Sequence, residues 1–232
     1  MKIKKEKKTL TPIEWIGLIL GVAMIFGILV RFLPGLMADF PLNDGGMFLS
    51  MIQDLSVSRY VLPEFTSYNG LSVPFAYPPF GFYFARLVSD LFAVPELDLL
   101  RWLPPFVNSL SILAFYLLAS ELMRSKSLGA LASAFYALTP GAFGWFVMGG
   151  GLTRSFGSLF LLLTVYSALR LFQSREKKFT ALSILFGGLT VLSHPEAGIH
   201  AAVTCILVWI FFGRSLTSLF NSILVGVGVF LM

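Results

Sequence analysis

The sequence predicts an all-α, polytopic transmembrane helix bundle with interfacial helices in its first external loop, and three observations carry that prediction. Of 232 residues, 56% are hydrophobic and only 12% charged, too little polar surface to cover a water-soluble globule of this size. The apolar runs are long and do not alternate, which suits helices that satisfy their own backbone groups in lipid and excludes a β-barrel. The basic residues fall in short tracts between those runs, so the formal net charge of +5 marks topology and not a nucleic-acid-binding face.

A hydrocarbon core of about 30 Å needs roughly 20 helical residues. Residues 13–33, 100–123, 128–147, 155–172, 179–193 and 198–212 approach that requirement, and a seventh run begins near Leu216 and is still apolar at Met232. We therefore expect a cytoplasmic basic tail over 1–12 and a transmembrane domain over 13–232, the N-terminal part of a longer protein truncated at its C-terminus. Lys2 to Lys8 followed by an apolar run imitates a signal peptide, but Arg31 and Phe32 stand where a small-residue cleavage site belongs, so the run reads as an anchor. The lysines are a solvated orientation signal that also favours anionic lipid. Cys205, the single cysteine, lies in an apolar run, which excludes an intrachain disulfide and a cysteine metal cluster.

Residues 75–94 are apolar enough to be mistaken for a span but contain Pro78, Pro79, Arg86 and Asp90. If they do not cross, 12 of the 17 basic residues, including all eight lysines, share one side, which the positive-inside rule makes cytoplasmic. Residues 34–99 then form one external loop, and a loop of that length is usually functional. Within it, Met47, Phe48, Met51, Ile52 and Leu55 recur at helical spacing opposite Gln53, Asp54 and Ser58, predicting a helix over 46–58 lying flat in the interface. A second is predicted over 80–92, opened by Pro78 and Pro79. Tyr77, Tyr83, Trp102 and Trp145 fit an aromatic belt. Glu121 is expected to pair with Arg124 or Lys126 and to have no catalytic role.

Three segments carry a family resemblance: Leu42-Asn43-Asp44-Gly45-Gly46-Met47-Phe48, Tyr77-Pro78-Pro79-Phe80-Gly81-Phe82-Tyr83, and Arg101-Trp102-Leu103-Pro104 leading into the second span. With the N-terminal anchor and the external loop, the chain resembles the N-terminal part of the GT-C superfamily of membrane glycosyltransferases, whose members include mannosyltransferases and aminoarabinose transferases dependent on polyprenyl-phosphate sugars. The resemblance implies a GT-C-like bundle in the plasma membrane, with the active site external, that serves cell-envelope glycosylation. The reaction would move a hexosyl or pentosyl group, inverting or retaining, from a lipid-linked donor to an acceptor that the sequence does not name. The family's first-loop acidic residue matches Asp44, which in that role acts on the acceptor or helps to hold a divalent metal ion. Many members have a second acidic neighbour, whereas Asn43 and Gly45 flank Asp44 here, so metal use stays open.

Such chemistry needs a base near the acceptor, cations or backbone donors for the leaving phosphate, and an apolar groove for the isoprenoid. Asp44 is the candidate catalytic base; its bland reading is a helix N-cap. Asp39 is a second, weaker candidate. For substrate binding, Gly149-Gly150-Gly151-Leu152-Thr153-Arg154 is a glycine-rich turn opening a span, where amides and the Arg154 guanidinium attract anions; a snorkelling arginine is the alternative. Arg59 and Arg101 are further external cations. His194 and Glu196, in Ser193-His194-Pro195-Glu196, are titratable groups at a depth where charge is costly, though a capped helix end explains His194 equally. His200, inside the next span, reads as a hydrogen-bonded packing residue. Two other classes stay open: a secondary transporter lined by Arg154, His194 and Glu196, and a non-catalytic subunit of the same fold.

Overall fold

The computed structural model describes residues 10–38, 43–149, 151–174 and 176–232. Among them are nine α-helices: α1 (Pro12–Met37), α2 (Gly45–Val57), α3 (Phe80–Phe92), α4 (Glu96–Leu122), α5 (Lys126–Leu138), α6 (Gly151–Ser174), α7 (Lys177–Ser193), α8 (Pro195–Phe212) and α9 (Leu216–Phe230). Two-residue antiparallel strands pair Phe65 with Pro74 and Thr66 with Val73. The fold is an all-α polytopic bundle, in which α1, α4, α6 and α8 are long and apolar enough to cross a membrane. Residues 1–9 of the basic tail, Asp39, Gly150 and Arg175 lie outside the described residues.

Local chemistry sets the helix ends. Thr11 and Glu14 form a capping box at the start of α1, the Thr11 N–H donating to Glu14 Oε2 at 2.7 Å and the Glu14 N–H to Thr11 Oγ1 at 3.3 Å. The expected span over 128–147 is corrected, because α5 stops at Leu138, where Thr139 turns extended and Pro140 opens a 3-10 turn. Thirteen residues reach only about 20 Å, and the following segment forms turns at that end of the bundle.

The loop helices α2 and α3 have 13 residues each, too short to cross about 30 Å of hydrocarbon. The apolar stripe of α2 does not lie against lipid: Phe48, Met51, Ile52 and Leu55 are fully buried with Phe82 of α3, Leu100 of α4 and Leu152 of α6. Tyr77 and Tyr83 likewise serve the loop instead of a belt, Tyr77 edge-on to Phe48 at 4.9 Å and the Tyr83 hydroxyl donating to the Tyr60 carbonyl at 2.9 Å. Asp54 secures the next turn by accepting from Thr66 Oγ1 at 2.7 Å and the Ser67 N–H at 2.9 Å.

Arg86 is the ionic centre of the loop. It donates to both oxygens of Asp90 and, at 2.6 Å, to Glu96, while the Tyr60 hydroxyl donates to Asp90. The Arg86 and Tyr60 hydrogen bonds hold the Asp90 carboxyl down at about 2. Because that carboxyl ionises more readily folded than unfolded, its contribution is present above the usual carboxylate pKa near 4 and is lost as pH falls toward 2. Arg86→Met is expected to lower the thermal unfolding midpoint in detergent by about 2–4 °C at neutral pH and by less at pH 2.5, as a pH series of melting curves would show. Solvent screening keeps the effect modest.

A second polar node lies between helices. Arg31 of α1 is fully buried; its Nε donates to Asn108 Oδ1 of α4 at 2.7 Å, and its Nη1 to the Gly27 carbonyl at 2.9 Å and the Ala137 carbonyl of α5 at 2.7 Å. Gly27 permits this approach, since a Cβ there would stand 2.6 Å from Ile112 Cδ1 and 3.1 Å from Ala137 Cβ. At the other end of α4, Glu121 pairs with Arg170 of α6 at 2.9 Å, not with Arg124 or Lys126 as its sequence neighbourhood suggests. Helical periodicity points it across the bundle.

Candidate functional site

The candidate site forms where α6 and α8 begin. Ser193 ends α7, His194 is extended at φ −155° and ψ 124°, and Pro195 opens α8 with its fixed φ. His194 caps that helix, Nδ1 accepting the Ala197 N–H at 3.4 Å. Gly157 lets α6 come close: a Cβ there would lie 2.7 Å from His194 Cβ and 3.1 Å from Ala197 Cβ. Three residues before and one after Gly157, Arg154 and Ser158 share a helical face. They line a cavity of about 460 Å³ with His194, Glu196 and His200, while Gly141, Trp145 and Phe146 supply another wall. The Arg154 guanidinium carbon stands 5.8 Å from the Trp145 ring centroid.

Among the described residues, the lining holds one guanidinium, Arg154, and one carboxylate, Glu196. Burial first, then the Arg154 cation, push the His194 imidazole below its ordinary pKa, against a smaller opposing pull from Glu196. His194 is therefore neutral at pH 7, and since Nδ1 accepts, its proton sits on Nε2. Arg154 and His194 Nε2–H suit an oxyanion, while the Ser158 hydroxyl is engaged with Tyr136. Glu196 suits a hydroxyl. Acid adds a proton to His194 more readily unfolded than folded, so its stabilising contribution declines as pH falls below about 6.5. Melting curves of His194→Asn, which keeps a capping oxygen, are expected to show a smaller loss of stability between pH 7 and pH 5 than wild type.

Of the residues singled out from sequence, the structure brings Arg154, His194 and Glu196 to one cavity. It adds His200, exposed and lining the cavity instead of packed and hydrogen-bonded; its i, i+4 spacing from Glu196 was the available signal. Asp44 stands at the N-cap position of α2, its carbonyl accepting the Phe48 N–H at 3.1 Å, but its carboxylate makes no capping bond. Arg59 is exposed, at φ 53° after α2. Arg101 donates to the Gly35 carbonyl at 2.6 Å and stacks on Trp102 at 4.5 Å, joining the start of α4 to the end of α1. Asp44, Arg59 and Arg101 do not line the cavity. Among the described residues, no three His, Cys, Asp or Glu side chains gather to hold a metal ion. The loop helices nevertheless join the same end of the bundle, α3 placing Phe80 and Phe84 edge-on to Phe156 of α6, each at 5.1 Å.

Fold and cavity define a class: a polytopic membrane protein whose largely apolar cavity, carrying Arg154, His194 and Glu196, opens between apolar helices. The model of the dolichyl-phosphate-mannose-protein mannosyltransferase family matches residues 76–232, more than half of the chain, and the chain belongs to that family. It is an integral membrane glycosyltransferase of the GT-C type, a family whose donors are lipid-linked sugars. No curated protein and no solved structure matched the chain. The family match includes every residue lining the cavity and begins after Asp44.

Proposed function

We propose that this protein transfers a sugar, hexosyl or pentosyl, from a polyprenyl-phosphate donor to an acceptor on the external face of the plasma membrane, with its N-terminus cytoplasmic. The convergence of Arg154, neutral His194 and Glu196 on one cavity supports this reading most. Arg154 and His194 Nε2–H would hold the donor phosphate, whose charge grows as the bond from sugar to phosphate breaks. Glu196 would accept a sugar hydroxyl. Asp44, whose carboxylate is not spent on capping, would take the acceptor's proton. Arg59, in the 34–99 loop, and Arg101, at the start of α4, lie outside this cavity and would meet the donor only beyond it. The family's name makes a mannosyl group on dolichyl phosphate the first donor to try.

The test is sugar transfer from a mixture of polyprenyl-phosphate sugars by membranes containing the full-length protein, with and without divalent metal ions. Transfer by wild type that falls with Arg154→Gln at equal abundance supports the reading. An abundant wild type that transfers nothing would overturn it and favour a transporter lined by the same residues or a silent subunit of this fold.

A further inference from the structure

We infer that Arg31 is a positioning residue for the candidate site, a buried cation that holds the wall formed by the 139–147 turns; this rests on the functional reading of the cavity given above. A guanidinium with no water contact inside a membrane-spanning helix is costly, and its usual compensation is a carboxylate. Among the described residues none pairs with Arg31. Its partners are instead Asn108 Oδ1, the Gly27 and Ala137 carbonyls and, 5.0 Å from its central carbon, the face of Phe143.

These partners have a common geography. Ala137 is in the last turn of α5, where carbonyls lack helical donors and a cation is favoured. Phe143 follows the 3-10 turn at Pro140–Ala142, and its carbonyl accepts the N–H groups of Phe146 at 3.0 Å and Val147 at 3.2 Å. One guanidinium thus grips the segment where it leaves α5 and again at Phe143. Between and just after those grips lie Gly141, Trp145 and Phe146, which line the cavity opposite Arg154. The segment has only one 3-10 turn and short-range backbone bonds of its own; Arg31 adds a fixed point from α1, and Asn108 aims it.

Among the described residues, Arg31 Nη2 and Asn108 Nδ2, both buried, have no hydrogen-bond partner. Nearly all buried polar atoms in proteins are satisfied, and leaving one unsatisfied is costly. An apolar residue would join α1 to α4 and α5 without that cost, but it would not bond the Ala137 carbonyl or hold Phe143.

The experiment compares wild type, Arg31→Met, Arg31→Lys and Phe143→Leu as full-length proteins in membranes, measuring kcat and KM for the lipid-linked sugar that wild type uses. A residue needed only for folding lowers the amount of active protein and leaves KM alone. We expect Arg31→Met and Phe143→Leu to raise KM at least about tenfold with kcat per folded molecule within about threefold, and Arg31→Lys, which keeps a charge but not the fork, to recover part of the loss. An unchanged KM in folded Arg31→Met overturns the inference; if that variant does not accumulate, an unchanged KM in Phe143→Leu does so. Should wild type transfer no sugar, the reading of the cavity falls while the clamp remains testable. With Val147→Cys, buried at the end of that segment, as the sole cysteine, Arg31→Met is expected to speed maleimide labelling, and labelling at the parent's rate overturns the clamp.

Discussion

Membranes carrying Arg154→Gln are expected to transfer sugar about 10²–10³-fold more slowly than wild type at equal abundance. Arg154 is the permanent cation of the cavity, on α6 opposite the first turn of α8. Glutamine keeps much of the length and some hydrogen bonding but loses the charge and the fork that matches a phosphate. As the glycosidic bond breaks, negative charge accumulates on the leaving phosphate, so a fixed cation there is worth more in the transition state than in the ground state. The loss corresponds to about 3–4 kcal/mol of barrier. It should appear mainly in kcat/KM, and Arg154→Lys should recover part of it. Single-turnover rates with excess protein would separate slowed chemistry from weakened binding.

Asp44→Asn and Asp44→Ala are both expected to reduce transfer by about 10²–10⁴-fold, the usual worth of a positioned general base. The asparagine variant is the more informative. Asparagine caps a helix as well as aspartate does, so a residue that serves only as the N-cap of α2 would tolerate it. The missing side-chain capping bond at Asp44 already speaks against that role. Initial transfer rates, normalised to protein in the membrane, check this, and a fully active Asp44→Asn would return Asp44 to a structural part.

Much of the architecture was legible before any coordinates. Apolar runs located α4, α6, α7 and α8, and of these α4, α6 and α8 are long and apolar enough to cross a membrane, because a span is specified by its own hydropathy. Helices α2 and α3 were equally readable, one from a 3.6-residue stripe and the other from the two prolines before it. The early end of α5 was not, although Pro140 signalled it, because an apolar run continuing to Val147 outweighed one local breaker. The fate of the α2 stripe was also hidden: periodicity marks an apolar face without saying whether lipid or protein covers it.

The site divides the same way. Arg154, His194 and Glu196 stood out in the sequence because charge at a span end is rare enough to be noticed. Their meeting was not visible, since Arg154 and His194 are 40 residues apart and are joined by the absence of a side chain at Gly157, which lets α6 lie against His194 and Ala197. Arg31 was read only as the residue that spoils a cleavage site; its partners at Asn108 and Ala137 come from other helices. By itself the sequence determined that the chain lives in lipid, where its helices run and which residue types could bind a phosphate, all properties set by neighbours along the chain. Only the tertiary structure decided which of those residues share a cavity and which are consumed as clips, because close packing, and not sequence distance, determines which side chains meet.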